Sequence, residues 1–220
     1  MSRVDFISKM PRGTRNDYAQ RVLEYDMPAC AKVSRKFGAE YWDGERQYGF
    51  GGYHYDGRWQ SVARELADYY NLREGDRVLD IGCGKAFLLH DLVQAAPGIQ
   101  VAGIDISEYG VSHAFDDVRP FLNVGTCTSL PFPDASFDLV FSINTFHNLL
   151  NFQLVDALRE IQRVGRKHRF ICEEAYRTEQ EKVRILYWGL TCECFHTPRE
   201  WQWYFDFAGY EGDQDYIYFN

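Results

Sequence analysis

One aspartate and two glycines follow an apolar run in the stretch VLDIGCGKAF, as Asp80, Gly82 and Gly84. Asp105 ends a second apolar run, 25 residues after Asp80. Glycines at such a turn let a ligand approach the backbone closely, because they carry no side chain to block it. The first carboxylate can pair with an ammonium group, and the second can accept hydrogen bonds from both hydroxyls of a ribose. The spacing therefore indicates a site for a cationic nucleoside.

Phosphate-binding loops share this glycine-rich turn, but the sequence departs from both common patterns. The dinucleotide fingerprint G-x-G-x-x-G requires glycine at position 87, where the chain has Phe87. A Walker-type loop requires serine or threonine after its lysine, but Ala86 follows Lys85. Asp80 would also repel a pyrophosphate, against the general preference of helix N-termini for anions. A ligand without phosphate groups is therefore expected.

The residues around this turn alternate between predicted strands and predicted helices. This alternation predicts an α/β fold, with a doubly wound, mostly parallel sheet and helices on both faces. Ligands of such sheets bind beyond the carboxyl ends of the strands, which is where both aspartates stand. Strands are predicted at RVLDIG, QVAGIDIS, LNVGTC, FDLVFSIN, HRFICEEAY and DYIYFN.

The glycine-rich turn resembles the first motif of the class I S-adenosylmethionine-dependent methyltransferases. Their pattern, acidic-x-G-x-G-x-G, is matched by Asp80, Gly82 and Gly84, and Ala86 stands at the third glycine position. S-adenosylmethionine carries an ammonium group, a sulfonium and a ribose, and it has no phosphate. The resemblance implies that it is the cofactor and that these three residues bind it.

Two further motifs follow in the order that the family has. In GIDIS, the resemblance implies that Asp105 binds the ribose hydroxyls and that Ile106 packs on the adenine. In VGTCTSLPFPDASFDLV, Thr126 and Cys127 stand where the family commonly has an acidic residue, so adenine contacts from backbone groups or hydroxyls are expected around Cys127. The resemblance spans roughly residues 60–175.

Polar residues after the fourth and fifth predicted strands are candidates for the chemical step. His147 is either a general base or a hydrogen-bonded histidine at a helix start. Asn144 is a candidate for binding the amino-acid end of the cofactor or the acceptor. Side chains alternate along a strand, so only part of the stretch CEEAYR, which includes Glu173 and Glu174, can face the site. Tyr176 is the residue of that stretch that we predict to line it.

The segment 41–59 is rich in aromatic residues and glycine and lacks a helical period. Tyr48, Tyr53 and Tyr55 are predicted to belong to a lid over cofactor and substrate, since aromatic faces attract a sulfonium cation. The alternative is a small aromatic core between the N-terminal helices and the sheet, and both descriptions can hold together.

The chain is divided at the end of this aromatic segment. Residues 1–58 are predicted to form N-terminal helices, with 16–38 helical, followed by the aromatic lid. Residues 59–220 are predicted to form the cofactor-binding, Rossmann-like domain.

Three functions remain open. The first is transfer of a methyl group to an oxygen or nitrogen of a small-molecule acceptor. The second is cyclisation of the cofactor's own aminobutyrate arm to azetidine-2-carboxylate, which releases methylthioadenosine; Asn144 and Tyr176 would then orient or deprotonate the amine. The third is a binding or scaffold subunit without catalysis, which the intact Asp80 and Asp105 disfavour.

Composition limits the partners. A net charge of −8 disfavours nucleic acids. No run is long and apolar enough for a membrane span, and the start of the chain lacks a signal-peptide core. With six dispersed cysteines, a cytoplasmic protein with reduced thiols is expected.

The C-terminal part raises two further questions. In TCECFH, the residues Cys192, Cys194 and His196 would share one face of a strand, but no fourth ligand is evident and no metal is predicted. The family usually ends in a two-strand hairpin, and little sequence remains here to form one. A shortened or missing last strand would leave an edge open to a partner, such as a second copy of the chain.

Overall fold

The computed structural model describes residues 2–8 and 18–219. Six strands form one sheet: β1 (Arg77–Ile81), β2 (Gln100–Asp105), β3 (Leu122–Val124), β4 (Phe137–Ile143), β5 (Gly165–Glu174) and β6 (Asp213–Ile217). Every neighbouring pair is parallel, and the order across the sheet is β3-β2-β1-β4-β5-β6. The predicted doubly wound parallel sheet is therefore confirmed.

Helices connect the strands and precede them. They are α1 (Tyr18–Glu24), α2 (Met27–Ser34), α3 (Ala39–Trp42), α4 (Gln60–Tyr69), α5 (Phe87–Ala95), α6 (Glu108–Ser112), α7 (Asn151–Val164), α8 (Glu179–Trp188) and α9 (Pro198–Ala208). Short 3-10 helices span Arg46–Tyr48, Arg119–Phe121 and Phe146–Asn148. Within the described part of the chain, no helix has the length and apolar character that crossing a membrane requires.

The predicted helix over residues 16–38 is divided into α1 and α2. Residues 16 and 17 lie outside the described residues. The division falls at Asp26, whose side chain accepts a hydrogen bond from the backbone N–H of Ala29 and caps the new helix. Pro28 occupies its first turn, where the missing N–H costs nothing. Thr197 caps the start of α9, where Glu200 completes a capping box.

Apolar side chains cover both faces of the sheet. On β1, Val78 packs with α4 and α5 on one face, and Leu79 packs with α7 and α9 on the other. All four residues from Val78 to Ile81 are buried. A strand covered on both faces requires a nearly continuous apolar run, and Asp80 is the exception within it.

The last strand is present, and residues near the start of the chain cover its outer edge. The Val4 N–H donates to the Gln214 carbonyl oxygen at 3.0 Å, and the Gln214 N–H donates to the Ser2 carbonyl oxygen at 2.9 Å. Phe6 is buried against Phe170 of β5 and Tyr70. Residues near the start of the chain thus occupy the edge that was expected to be open. This edge therefore gives no support for pairing with a second copy of the chain. Homodimer formation stays an expectation without structural support.

Candidate active site

The glycine-rich turn after β1 has no room for side chains at its two glycines. Gly82 and Gly84 adopt positive φ angles of 78° and 54°. A Cβ at Gly82 would lie 2.1 Å from Thr145 Oγ1, and one at Gly84 would lie 2.6 Å from the Trp42 ring. Ala86, at the third glycine position of the motif, also has a left-handed φ of 54°. Such a conformation costs an L-residue about 1–2 kcal/mol, so the third position keeps the glycine geometry without a glycine.

Asp80 lies inside this site without a hydrogen-bond donor. The residue is 5% exposed. Within residues 2–8 and 18–219, no group donates a hydrogen bond to its carboxylate. Burial, and then the charge of Asp105, raise the pKa of Asp80 well above its usual range. A buried carboxylate without a partner is unfavourable, so its position fits a site that receives a cationic group.

Asp105 joins the second motif to the first. Its Oδ2 accepts a hydrogen bond from the Gly84 N–H at 2.7 Å, and its Oδ1 accepts one from the Ser107 N–H at 2.8 Å. Burial raises the pKa of Asp105, and these two hydrogen bonds oppose that shift. Each oxygen keeps a second lone pair that can accept from a ligand hydroxyl.

The two predicted adenine contacts lie on either side of Asp105. Ile106 is 63% exposed, so its apolar side chain is free to receive a flat ring. Cys127 is half-buried. Burial raises the pKa of its thiol to about 12, and the charges of Glu173 and Asp105 add to the shift, which places Cys127 close to both acids.

The ends of β4 and β5 bring together a buried imidazole and two carboxylates. We name His147, Glu173 and Glu174 the His–Glu cluster. His147 Nδ1 lies 2.6 Å from Glu174 Oε2 and 3.3 Å from Glu173 Oε2. Burial alone would lower the pKa of His147, but the neighbouring Cys192 and the two glutamates outweigh it and raise the pKa well above its usual value. Both glutamates reach the ring, although side chains of adjacent strand residues normally point to opposite faces.

Glu173 also holds the turn that follows β4. Its Oε1 accepts hydrogen bonds from the Thr145 and Phe146 N–H groups at 2.9 and 2.7 Å, and its Oε2 accepts one from the His147 N–H at 3.2 Å. Burial raises the pKa of Glu173, and the His147 contact opposes that shift. Through these bonds a residue of β5 fixes the backbone that carries His147.

Asn144 joins the cluster, whereas Tyr176 has other partners. Asn144 has a φ of 59°, and its side-chain amide, with the nitrogen turned toward Glu174, donates to that carboxylate. The Tyr176 N–H donates to the His196 carbonyl oxygen at 3.3 Å, and Lys182 Nζ lies 5.2 Å from the ring centre. No contact recorded among the described residues joins Tyr176 to the His–Glu cluster, so its role stays a prediction.

The aromatic segment begins with residues that contact both cofactor motifs. Trp42 Nε1 donates to Ser107 Oγ at 2.8 Å, directly after the second motif. Lys85 of the glycine-rich turn is buried, and its Nζ lies 2.7 Å from Asp43 Oδ1 and 2.9 Å from the Tyr53 carbonyl oxygen. The segment is thus tied to the glycine-rich turn by an ion pair and to the second motif by a hydrogen bond.

The three tyrosines predicted for the lid differ in position. Tyr53 stacks on Phe87, and burial raises its pKa to about 12, with the charge of Asp80 among the smaller contributions. Tyr55 points onto α5, where its hydroxyl donates to Asp91 Oδ1 at 2.6 Å. Tyr48 contributes its carbonyl oxygen to a hydrogen bond from the Ser34 hydroxyl. Of these three tyrosines, only Tyr53 has contacts that bring it near the cofactor motifs.

Sequence reasoning missed Tyr41, which lies closer to the cluster. Burial raises its pKa to about 12, and its neighbours include His147, Cys192 and Asp105. Tyr41 therefore lies between the end of β2 and the His–Glu cluster. Tyr41 begins the tripeptide YWD at the start of the aromatic segment. The two residues that follow it contact the motifs, Trp42 at Ser107 and Asp43 at Lys85, so this tripeptide could have pointed to Tyr41.

The segment after α8 covers His147 from the other side. The N–H groups of Glu193 and Cys194 donate to the His147 carbonyl oxygen at 2.8 and 3.2 Å, and the Trp188 ring meets the imidazole at 5.3 Å. This segment has no strand structure, so the condition under which Cys192, Cys194 and His196 would share one strand face is not met. Among the described residues, the group whose geometry could hold a metal is instead the His–Glu cluster. Its 2.6 Å contact has the length of a charge-assisted hydrogen bond.

Comparisons with known proteins agree with the motifs. Residues 79–172 match the family model described as "Methyltransferase domain". The demethylmenaquinone methyltransferase of Symbiobacterium thermophilum is 35% identical over 144 residues, which cover 60% of this chain and 57% of that protein. The 27-O-demethylrifamycin SV methyltransferase of Amycolatopsis mediterranei is 38% identical over 91 residues, which cover 38% and 33%. The chain thus spans about half, or less, of the length of these curated relatives.

Solved structures show the same fold at low identity. The YcgJ protein of Bacillus subtilis superposes with a TM-score of 0.54 at 23% identity, over 66% of this chain and 67% of that one. A putative methyltransferase of Haloferax volcanii, solved in complex with the Trm112 methyltransferase activator, gives 0.56 at 20% identity, over 90% and 77%. The sheet order and the matched segment thus show a Rossmann-like fold of the methyltransferase type, with a methyltransferase domain over residues 79–172.

Proposed function

We propose that the chain is a methyltransferase that uses S-adenosylmethionine and acts on an oxygen or nitrogen of a small-molecule acceptor. The observation that carries this proposal is Asp80, a buried carboxylate without a donor, one residue before the end of β1 and beside Asp105. Asp80 would pair with the cofactor's ammonium and Asp105 would accept from its ribose. Gly82 and Gly84 let Thr145 and Trp42 pack directly against the turn. When bound, the cofactor supplies a methyl group made electrophilic by the sulfonium.

The aromatic segment acts as a lid in this proposal. Trp42 lies against Gly84, and Tyr53 is close to Asp80, so aromatic faces border the space that the ligand would occupy. An aromatic face attracts a cation by about 0.5–2 kcal/mol, which favours a sulfonium. The residues of this chain would accelerate transfer mainly by holding both reactants in line and by excluding water.

Calorimetric titration of S-adenosylmethionine and S-adenosylhomocysteine into three proteins tests the cofactor site. Asp80→Asn removes a charge-assisted contact worth about 1.5–3 kcal/mol, so we expect affinity to fall about 10- to 150-fold. Asp68→Asn, on the exposed side of α4, is the matched control and keeps wild-type affinity. Formation of S-adenosylhomocysteine with an acceptor library then tests transfer. Absence of cofactor binding would refute the proposal and favour a non-catalytic subunit.

A second candidate is cyclisation of the cofactor's own arm. The observation that favours it is the placement of Asn144 directly after β4, the strand beside that of Asp80, and of Glu174 at the end of β5, the next strand across the sheet. A proton acceptor therefore lies on the side of the site where the cofactor's amine would bind. In that reaction the amine loses a proton, its nitrogen bonds to the γ-carbon, and the carbon–sulfur bond breaks to release methylthioadenosine. Incubation with cofactor alone distinguishes the two reactions, because only cyclisation yields methylthioadenosine without an acceptor.

A further inference from the structure

We infer that the methyl-accepting atom is an amine nitrogen, bound as its ammonium form by Glu174, which His147 and Asn144 hold in place and which takes the proton. This inference rests on the proposed function, because it names the acceptor class for the same site. It adds a catalytic role for Glu174 that the sequence did not indicate.

The first argument is position. The end of β1, Ile81, is level with Ser142 on β4 and with Ile171 on β5. Glu174 ends β5 and therefore lies three residues beyond the level at which β1 ends. Ligands of parallel sheets bind in that space beyond the strand ends. Asp80 and Asp105 take the ends of β1 and β2, so the end of β5 faces the acceptor side.

The second argument is charge. The His–Glu cluster has two carboxylates and one imidazole, and the 2.6 Å contact between His147 Nδ1 and Glu174 Oε2 has the length of a charge-assisted hydrogen bond. Within the described residues, the ion pairs of Glu173 and Glu174 involve His147 alone. Lys85 is paired with Asp43. The cluster therefore holds more carboxylates than cationic groups, which favours a cationic acceptor and opposes a carboxylate or phosphate.

The third argument concerns the proton. His147 Nδ1 faces the glutamates and donates to Glu174, so this nitrogen is not available to take a proton from the acceptor. Glu173 already accepts three backbone hydrogen bonds. Glu174 is then the available acceptor. The ammonium first gives one proton to the Glu174 carboxylate, and the N–H bond pair becomes the nitrogen lone pair. That lone pair then forms the N–C bond to the methyl carbon as the C–S bond breaks and its electron pair passes to sulfur.

Binding of matched probes to the protein saturated with S-adenosylhomocysteine tests the acceptor class without turnover. The library pairs each primary amine with the alcohol and the carboxylate of the same carbon frame, for example 2-phenylethylamine, 2-phenylethanol and phenylacetate. We expect the ligands found by calorimetry to be amines, with affinities at least about tenfold above those of their alcohol partners. Binding of alcohols or carboxylates in preference to amines, or of no amine at all, would overturn the inference. Intact binding of S-adenosylhomocysteine in the same experiment would leave the proposed function standing.

Glu174→Gln keeps the shape of the side chain and removes its charge. For the best amine we expect affinity to fall at least about tenfold and kcat at least about a hundredfold, the usual range for losing a general base. Cofactor affinity and the affinity of the matched alcohol stay unchanged, which also shows that the variant is folded. Glu179→Gln, exposed in the first turn of α8, is the control with wild-type values. Wild-type amine affinity in Glu174→Gln would overturn the inference.

Discussion

Replacing Lys85 by methionine tests whether one ion pair holds the aromatic segment on the glycine-rich turn. Lys85 Nζ lies 2.7 and 2.8 Å from the two carboxylate oxygens of Asp43 and 2.9 Å from the Tyr53 carbonyl oxygen. The lysine side chain is 6% exposed and that of Asp43 is 23% exposed, so water partly screens the pair. Breaking a fully buried pair costs about 3–5 kcal/mol, and we therefore expect a loss of about 2 kcal/mol here.

This loss has two measurable consequences. For a domain of this size, 2 kcal/mol lowers the melting temperature by about 4–8 °C. If the segment must leave the turn before the cofactor dissociates, the same 2 kcal/mol accelerates dissociation about 30-fold, since each 1.4 kcal/mol is a factor of ten.

Scanning calorimetry and stopped-flow tryptophan fluorescence measure these two quantities. Trp42 is a built-in reporter, because it lies against Gly84. Lys36→Met, an exposed lysine that precedes the segment, is the control. A double-mutant cycle with Asp43→Asn isolates the pair, and we expect a coupling of about 1–2 kcal/mol. A coupling below about 0.5 kcal/mol, or an unchanged dissociation rate, would refute the role assigned to the pair.

Three further predictions concern the acids and the turn. The raised pKa of Asp80 means that folding favours the protonated form of this side chain, so the stability it contributes is lost as pH rises from its unfolded pKa through its folded pKa. Asp80→Asn should therefore raise the melting temperature of the cofactor-free protein at pH 7 by about 2–4 °C. A melting temperature below that of the wild type would contradict this explanation. The pKa of His147 is also raised, so the stability that this residue gives the folded state is fully present below its unfolded pKa and is lost as pH rises through its folded pKa. The free energy of unfolding measured in urea should therefore fall from pH 6 to 10 in the wild type and show no such fall in His147→Gln. Ala86→Gly relieves a left-handed strain of about 1–2 kcal/mol but loses a buried methyl group, so urea unfolding should change by less than about 1 kcal/mol, and a larger loss would show that the turn is not strained.

The sheet and the placement of Asp80 and Asp105 at the ends of β1 and β2 were predictable because their signals are local. β1 and β4 are largely apolar runs, as expected for strands buried on both faces, and the two acids follow from the motif spacing. The presence of a carboxylate inside a buried strand marked Asp80 without any knowledge of distant residues.

The contacts that complete the site were not predictable, because they join segments far apart in the chain. Lys85 meets Asp43 from 42 positions away, and Trp42 meets Ser107 from 65 positions away. Glu173 and His147 are brought together only by the pairing of β4 with β5. The alternating residues of TCECFH would share a face only on a strand, and the structure has no strand there.

Residues 2–6 and β6 complete the same sheet edge, yet they are synthesised far apart in time. Until β6 has left the ribosome, the N-terminal residues have no strand to pair with, and the outer side of β5 has no neighbour. Closure of this side of the molecule is therefore a late folding event, during which unpaired strand edges are open to association with other chains. Slow release of β6, or a bulky fusion placed just before Ser2, would lengthen that vulnerable interval during expression.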